Sequence, residues 1–394
     1  EHNVFYIDNH LRPYTGKHVV RKGWRMQDRR VRPGCTDYYL HDVDGRPLFR
    51  IDVPSHDSLT TWAYNIVLHV RAILGDDEHI LLAFDRGGAF PEALAQLRDD
   101  VCEFVTYERA PYPKLPGSAF VNELVLDDET VRWTESRTNL GKGRGRVRRI
   151  GVLGEDGRQI NLLADSVLPP EQLIEIMRGR WQQENAFKYG AERWGINHLD
   201  GRKTRAVSPD EIIPSPARRR LDTARRWANV REGDARCDLA KFPEDHPRYR
   251  RALEEIETAL EEERSIDALR PTVPRHARLA DTELAGKLRR HDGSRKLVLD
   301  TIRIACAHAE SDLAVMLARY MTKPREAKHL LTNLFRSPGN VRVGATTISL
   351  DLQPAATDAE RSAIGNFLSD VSALRLTLPG DPRRRPLRFR SQLR

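Results

Sequence analysis

The sequence predicts a mixed α/β fold with a β-rich insertion and a helical C-terminal region. Three observations carry that expectation. Over the first 110 residues, short apolar runs closed by turn signals alternate with helical spacings; over 111–165 only short β segments follow one another; past Pro214 the chain is highly charged and mostly helical in pattern. Residues 1–110 and 166–204 therefore read as one α/β core split by the insertion at 111–165, with 205–394 a mostly helical region holding a small β element.

Each element has its own signal. Val4–Asp8 is an apolar run ending in an acid, and Arg12–Lys17 reads as a turn and return strand. Tyr38–Leu40 and Leu48–Val53 are strand candidates joined at Asp44-Gly45. Leu59, Trp62, Ile66, Val70 and Ile73 have helical spacing, and Gly75 is placed to cap that helix. Ile80–Phe84 is a buried-type strand stopped by Asp85-Arg86-Gly87-Gly88, a short helix opens at Pro91, and Cys102–Tyr107 is the next strand. Within the insertion, Glu123–Leu126, Thr130–Trp133, Val147–Leu153 and Gln159–Leu163 are β segments, the last two joined by Glu155-Asp156-Gly157. A helix opens at Pro169-Pro170 and runs to about Gly195. In the tail, Tyr249, Leu253, Ile256 and Leu260 form a short heptad-like stripe. Helices are expected near 294–321, 324–335 and 358–373, with a strand pair at 340–352 and a terminal strand at 386–391.

The chain has 394 residues, 39% of them hydrophobic and 31% charged, with a net charge of +8. It reads as a soluble protein of the cytoplasm and nucleoid, with no apolar run long enough to span a membrane. Its first residue is Glu1 and an apolar strand follows almost at once, so it reads as the continuation of something longer. The four cysteines are scattered with no CxxC pair, which argues against a zinc site or a disulfide framework. Arg outnumbers Lys, and a basic, Arg-rich surface suits a phosphate polyanion, although Arg-rich coding alone gives the same bias.

An acid closing an apolar strand is costly unless something partners it. That occurs at Asp8 and at Asp85, and Glu184 lies on the helix expected to cover the sheet. Three gathered carboxylates repel one another and call for divalent cations. Two Mg²⁺ ions (Mn²⁺ as a substitute) roughly 4 Å apart would serve an in-line phosphodiester displacement. Bland readings stand beside this one. Asp8 can be a turn residue before Asn9, Asp52 is a rival first acid, and Arg180, Glu184 and Lys188 have the spacing of a solvated salt-bridge ladder.

The segments Tyr6-Ile7-Asp8-Asn9-His10, Ala83-Phe84-Asp85-Arg86-Gly87-Gly88 and Arg180-Trp181-Gln182-Gln183-Glu184-Asn185-Ala186-Phe187-Lys188-Tyr189, with Trp194-Gly195-Ile196-Asn197-His198-Leu199 after them, resemble the DDE transposases of bacterial insertion sequences. The resemblance covers about residues 3–204. It implies an RNase H-like core with a β-rich insertion, the triad Asp8, Asp85 and Glu184 as catalytic metal ligands, and DNA cleavage at transposon ends followed by strand transfer. Related enzymes carry a Tyr-x-x-Arg-x-x-x-Glu-x-x-x-x-x-x-Lys signature. Here Arg180 and Glu184 keep its centre, Met177 and Ala191 replace its outer residues, and Lys188 lies one turn past the acid.

The partners expected are transposon-end and target DNA, engaged by a homodimer. Arg137–Arg149 is acid-free and glycine-rich, so Lys142, Arg144, Arg146 and Arg148 are candidates for following a phosphate backbone, or else decorate a solvated hairpin. Arg86, Arg180 and Lys188 are further phosphate candidates, and Trp133 stacks on a base or belongs to the core. The competing functions are an RNase H-like nuclease that cuts without joining, and a decayed or domesticated transposase that only binds DNA.

Overall fold

The computed structural model describes residues 3–25, 28–53, 55–75, 78–99, 102–126, 129–141, 143–353 and 355–391, with the side chains of Gln182 and Glu184 outside that description. The first part of the chain forms β1 (Asn3–Pro13), β2 (Lys22–Arg25), β3 (Arg30–His41), β4 (Pro47–Val53), α1 (Leu59–Leu74), β5 (Ile80–Phe84), α2 (Pro91–Asp99) and β6 (Glu103–Tyr107). The second forms β7 (Asn122–Leu126), β8 (Glu129–Asn139), β9 (Arg146–Leu153), β10 (Gln159–Asp165) and α3 (Pro170–Arg193). Of the return strand expected at Arg12–Lys17, Arg12 and Pro13 end β1 and Tyr14–Lys17 belong to no strand; the chain doubles back at β3.

Among the described residues these strands build one mixed sheet in the order β4-β3-β1-β5-β6-β10-β9-β8-β7, with β2 on the outer half of β3. β3 runs antiparallel to both β1 and β4, whereas β5 is parallel to β1 and to β6. The strands of the insertion continue this sheet, because β10 pairs antiparallel with β6.

β1 alternates, and its alternation organises the molecule. Phe5 and Ile7 face a core shared with Ile66, Val67 and Val70 of α1 and with Leu94 and Leu97 of α2. Tyr6, Asp8, His10 and Arg12 fall on the opposite face, which α3 covers. β5 is apolar on both faces, as a central parallel strand must be: Ile80, Leu82 and Phe84 join the first core, while Leu81 and Ala83 join a second with Leu173, Ile174 and Met177 of α3. Each such side chain contributes roughly 1.5–3 kcal/mol by leaving water.

The remaining chain comprises β11 (Thr204–Ala206), β12 (Ile212–Pro214), α4 (Pro216–Lys241), α5 (Pro247–Leu269), β13 (His276–Arg278), β14 (Arg289–His291), α6 (Ser294–Ala318), α7 (Ala327–Arg336), β15 (Gly339–Val343), β16 (Ile348–Leu352), α8 (Asp358–Ala373) and β17 (Leu387–Ser391). α4 and α5 pack as an antiparallel hairpin whose buried residues are Ala228, Ala235, Ala252, Ala259 and Ile266. The heptad-like stripe expected at Tyr249, Leu253, Ile256 and Leu260 is therefore displaced: Leu253 is exposed and the small residue before it is inside. Alanine lets the two backbones approach closely, which larger side chains would prevent. No helix is long and apolar enough to cross a membrane among the described residues.

α6 is fixed to the sheet by buried charge. Arg12 and Arg50 both bind the fully buried carboxylate of Asp37. The Nε of Arg50 lies 2.9 Å from Asp300 of α6, and Lys296 of the same helix lies 3.0 Å from the other Asp300 oxygen. Lys296 also donates to the Ile196 carbonyl at 2.8 Å, and Arg303 joins Asp300 to Asp200. Burial alone would raise the Asp37 carboxyl, but Arg12 and then Arg50 hold it below the usual carboxylate range.

Asp37→Ala leaves two guanidinium groups buried without their shared counter-ion. We expect a loss of ~3–5 kcal/mol of unfolding free energy in urea titrations; a loss under about 1 kcal/mol would mean that this network does not hold the core and α6 together.

Candidate active site

Asp8 and Asp85 become neighbours through strand register. Ile7 pairs with Phe84 across the parallel β1–β5 ladder, so the next residue on each strand is an acid, and both fall on the face of Tyr6 and Ala83. Asp85 still has extended backbone and caps a short 3₁₀ turn at Arg86–Gly88, its carboxylate accepting from the Arg86 amide at 2.7 Å. Asp8 accepts from the Asn9 amide at 2.7 Å. Both carboxylates keep solvent access, at 29% and 44% side-chain exposure.

α3 brings a cation to the pair. Its first half carries the apolar residues Leu173, Ile174 and Met177, and one turn later the same face carries Arg180. Tyr6 donates its hydroxyl to the Ile176 carbonyl at 2.8 Å and Tyr107 donates to the Met177 carbonyl at 3.2 Å, so two phenols from the sheet pin the helix. Burial pushes the Tyr6 hydroxyl up to about 12. Gly179 permits this approach: a Cβ there would lie 2.5 Å from the Tyr6 hydroxyl oxygen. The guanidinium of Arg180, only 7% exposed, then lies 3.5 Å from Asp8 and 3.8 Å from Asp85 and bridges them.

Glu184 is four residues past Arg180, one turn along α3, and its side chain lies outside the described residues. Among the described residues no group of three His, Cys, Asp or Glu side chains is placed to hold a metal ion. Asp8 and Asp85 nevertheless form a half-site of hard oxygen donors in which a positive charge already sits between the carboxylates. That donor set and charge fit Mg²⁺ or Mn²⁺.

Beside the acids, sequence reading missed a buried polar cluster. The His10 ring stacks on Phe187 at 5.4 Å and its Nε2 bonds Asn197; Phe187 also meets Tyr39 and His41 edge-on. The Gln183 amide lies 2.9 Å from His41 Nδ1. Burial pushes His41 down to about 3, so it is neutral and accepts that bond. The signal was the period-two polar set on β1, with His10 and Arg12 continuing the face of Asp8.

The expected DNA contacts of the insertion do not gather here. Trp133 packs in the core on the α3 side, 8% exposed, and offers no ring face to a base. Arg144 pairs with Glu92 of α2 at 2.8 Å, and Leu140 and Val147 beside it pack in the α1–α2 core, opposite the acids. Arg148 is held by Glu135 at 2.6 Å and by the Ser166 and Leu168 carbonyls. Arg146 is exposed, and Lys142 lies outside the described residues. Arg86 and Lys188 are exposed, Arg86 3.8 Å from Asp85. Trp181, next to Arg180, is 57% exposed and was not singled out from the sequence.

Asp52, the rival first acid, lies three strands from Asp85 and faces Arg12 and Arg50, each at 3.7 Å. Burial, then the charge of Asp37, pushes its carboxyl up to about 6. Between the ordinary carboxylate value and about 6 the native state holds a proton that the unfolded chain has released, so stability falls as pH rises through that window. Relative to wild type, Asp52→Asn should gain ~2 kcal/mol of unfolding free energy between about pH 4 and pH 7 in urea titrations. Parallel pH profiles for the two proteins would contradict the assignment.

A family model described as "Transposase protein" matches residues 2–347. Comparison with curated proteins finds no match.

Proposed function

The chain belongs to this transposase family, and we propose that it is a DDE-type DNA transposase of an insertion sequence, with Asp8, Asp85 and Glu184 as its acidic triad. The observation that carries the reading is the convergence of Asp8 and Asp85 on adjacent parallel strands, bridged by Arg180 one turn before Glu184. The sheet order supports an RNase H-like core. Three antiparallel strands (β4, β3, β1) are followed by two more, each parallel to its neighbour and each reached through a helix.

Asp8, Asp85 and Glu184 would hold Mg²⁺ or Mn²⁺, which when bound supplies Lewis-acid stabilisation to the attacking and leaving oxygens of a phosphodiester displacement. The protein's own contribution is placement. Register fixes Asp8 against Asp85, the two phenols fix the helix above them, and Arg180 neutralises the acid pair. Its planar fork is also shaped to take up a DNA phosphate in exchange for a carboxylate. Exposed Arg86 and Lys188 are cations for the backbone near the cut, and Trp181 offers a ring for a base unstacked at the transposon end. In this reading the enzyme cleaves at transposon ends and transfers the freed 3′-OH to target DNA, as a homodimer engaging two ends.

Asp8→Asn, Asp85→Asn and Glu184→Gln should each reduce Mg²⁺-dependent cleavage of end-containing DNA by more than roughly 10²-fold while leaving DNA retention in gel-shift assays unchanged. Wild-type cleavage by any of the three would remove that residue from the triad. Wild-type cleavage without joining of pre-cut ends would favour a nuclease, and DNA binding with no cleavage in either metal would favour a domesticated binding protein.

A further inference from the structure

We propose that the outward face of α6 is the contact between two copies of this chain, paired antiparallel about a two-fold axis. The proposal stands on the helix face alone and does not depend on the metal chemistry of the acids. The inward face of α6 carries Lys296, Asp300 and Glu310, all buried. Half a turn round, Val298, Thr301, Ile302, Ala305 and Ala309 are exposed, with Val298 at 62% and Ile302 at 54%. The usual arrangement of a surface helix is inverted: charge lies inside and an uncharged stripe faces out. In a chain that is 31% charged, three turns of exposed helix without a charge mark an interaction surface.

Two features of the stripe select a second copy as the occupant. Its residues are graded in size: Val298 and Ile302 in the N-terminal half are branched and bulky, whereas Ala305 and Ala309 beyond them are flat. With the two-fold axis between Ile302 and Ala305, each bulky residue meets a small one, Val298 opposite Ala309 and Ile302 opposite Ala305. A parallel pairing would set bulk against bulk. The stripe is also bounded by unlike charges, Arg295 before it and Asp312 after it, both exposed; Asp312 lies 3.6 Å from Arg46 of its own chain yet keeps 70% side-chain exposure, so an oxygen remains open to a second cation. The same axis sets Arg295 opposite Asp312 at both ends, whereas a parallel pairing would repel. A nucleic acid partner fits neither feature, because the stripe offers no cation to a phosphate. Ile73 of α1 (70% exposed), across a groove from Leu297, extends the apolar area at one flank.

The test is the solution mass of the full chain, by sedimentation equilibrium at micromolar concentrations, for wild type, Ile302→Glu, Arg295→Asp, Asp312→Arg and the double reversal. Ile302→Glu places a carboxylate near the axis from both copies and should give monomers. Each single reversal should weaken self-association by about tenfold or more, and the double reversal should recover most of it, as coupled partners do. All three substituted positions are exposed, so far-UV circular dichroism unchanged from wild type would show that a lost dimer is not a lost fold. A monomeric wild type, an Ile302→Glu protein that keeps dimer mass, or a double reversal no tighter than either single would each overturn the proposal. The first would leave the face to a partner other than this chain.

Discussion

Burial of the charged side of β1 dictates where the surrounding elements sit. Phe5 and Ile7 commit one side of the strand to the α1–α2 core, and strict alternation then sends Asp8, His10 and Arg12 to the other, beneath α3 and α6. Charge beneath helices is expensive unless every group has a counterpart. Each requirement is met by a specific residue: Arg180 for the Asp8–Asp85 pair, Asn197 and Phe187 for His10, and Asp37 for Arg12. The elements that supply these residues, α3 and the segment after it, β3, and through Arg50 the helix α6, are thereby fixed in place. The charged network and the acid pair are two ends of one polar face, so the same alternation that creates the candidate site fastens the C-terminal region to the core.

The two ends differ in solvent access, and that separates structural charge from chemical charge. Asp37 is sealed and held ionised by two guanidinium groups, and Asp52 nearby is pushed the other way by burial. Asp37 serves cohesion. Asp8 and Asp85 keep solvent contact at the ends of their strands, and their shared cation stands at ion-pair distances longer than a direct hydrogen bond. An acid pair open to solvent is suited to exchanging one positive partner for another, which a sealed pair is not.

Much of this was legible in the sequence. The end of β5 follows from an apolar run stopped by an acid and the helix start from Pro169-Pro170, whereas the approach of Asp8 to Asp85 was expected only from the resemblance, with which the transposase family is consistent. Long-range pairing was not legible. Nothing local announces that β10 joins β6, or that Asp300 binds Arg50 some 250 residues away in sequence. Composition left Trp133 open between a base and the core, and alternation on β8 puts it in the core; Arg148 of the basic stretch is tied to Glu135, a pairing that composition does not announce. The stripe in α5 misled in another way, because apolar size suggested the seam and the seam required alanine.

The polar face of β1 ends in an acid pair bridged by Arg180, and we propose that a divalent metal takes the place of that guanidinium. The most direct measurement is the anomalous scattering of crystals grown with Mn²⁺. A peak is expected at roughly 2.1–2.2 Å from carboxylate oxygens of both Asp8 and Asp85, with the Arg180 guanidinium drawn back from them. A manganese peak at Asp52 instead, or Arg180 still bridging both acids in metal-saturated crystals, would contradict it.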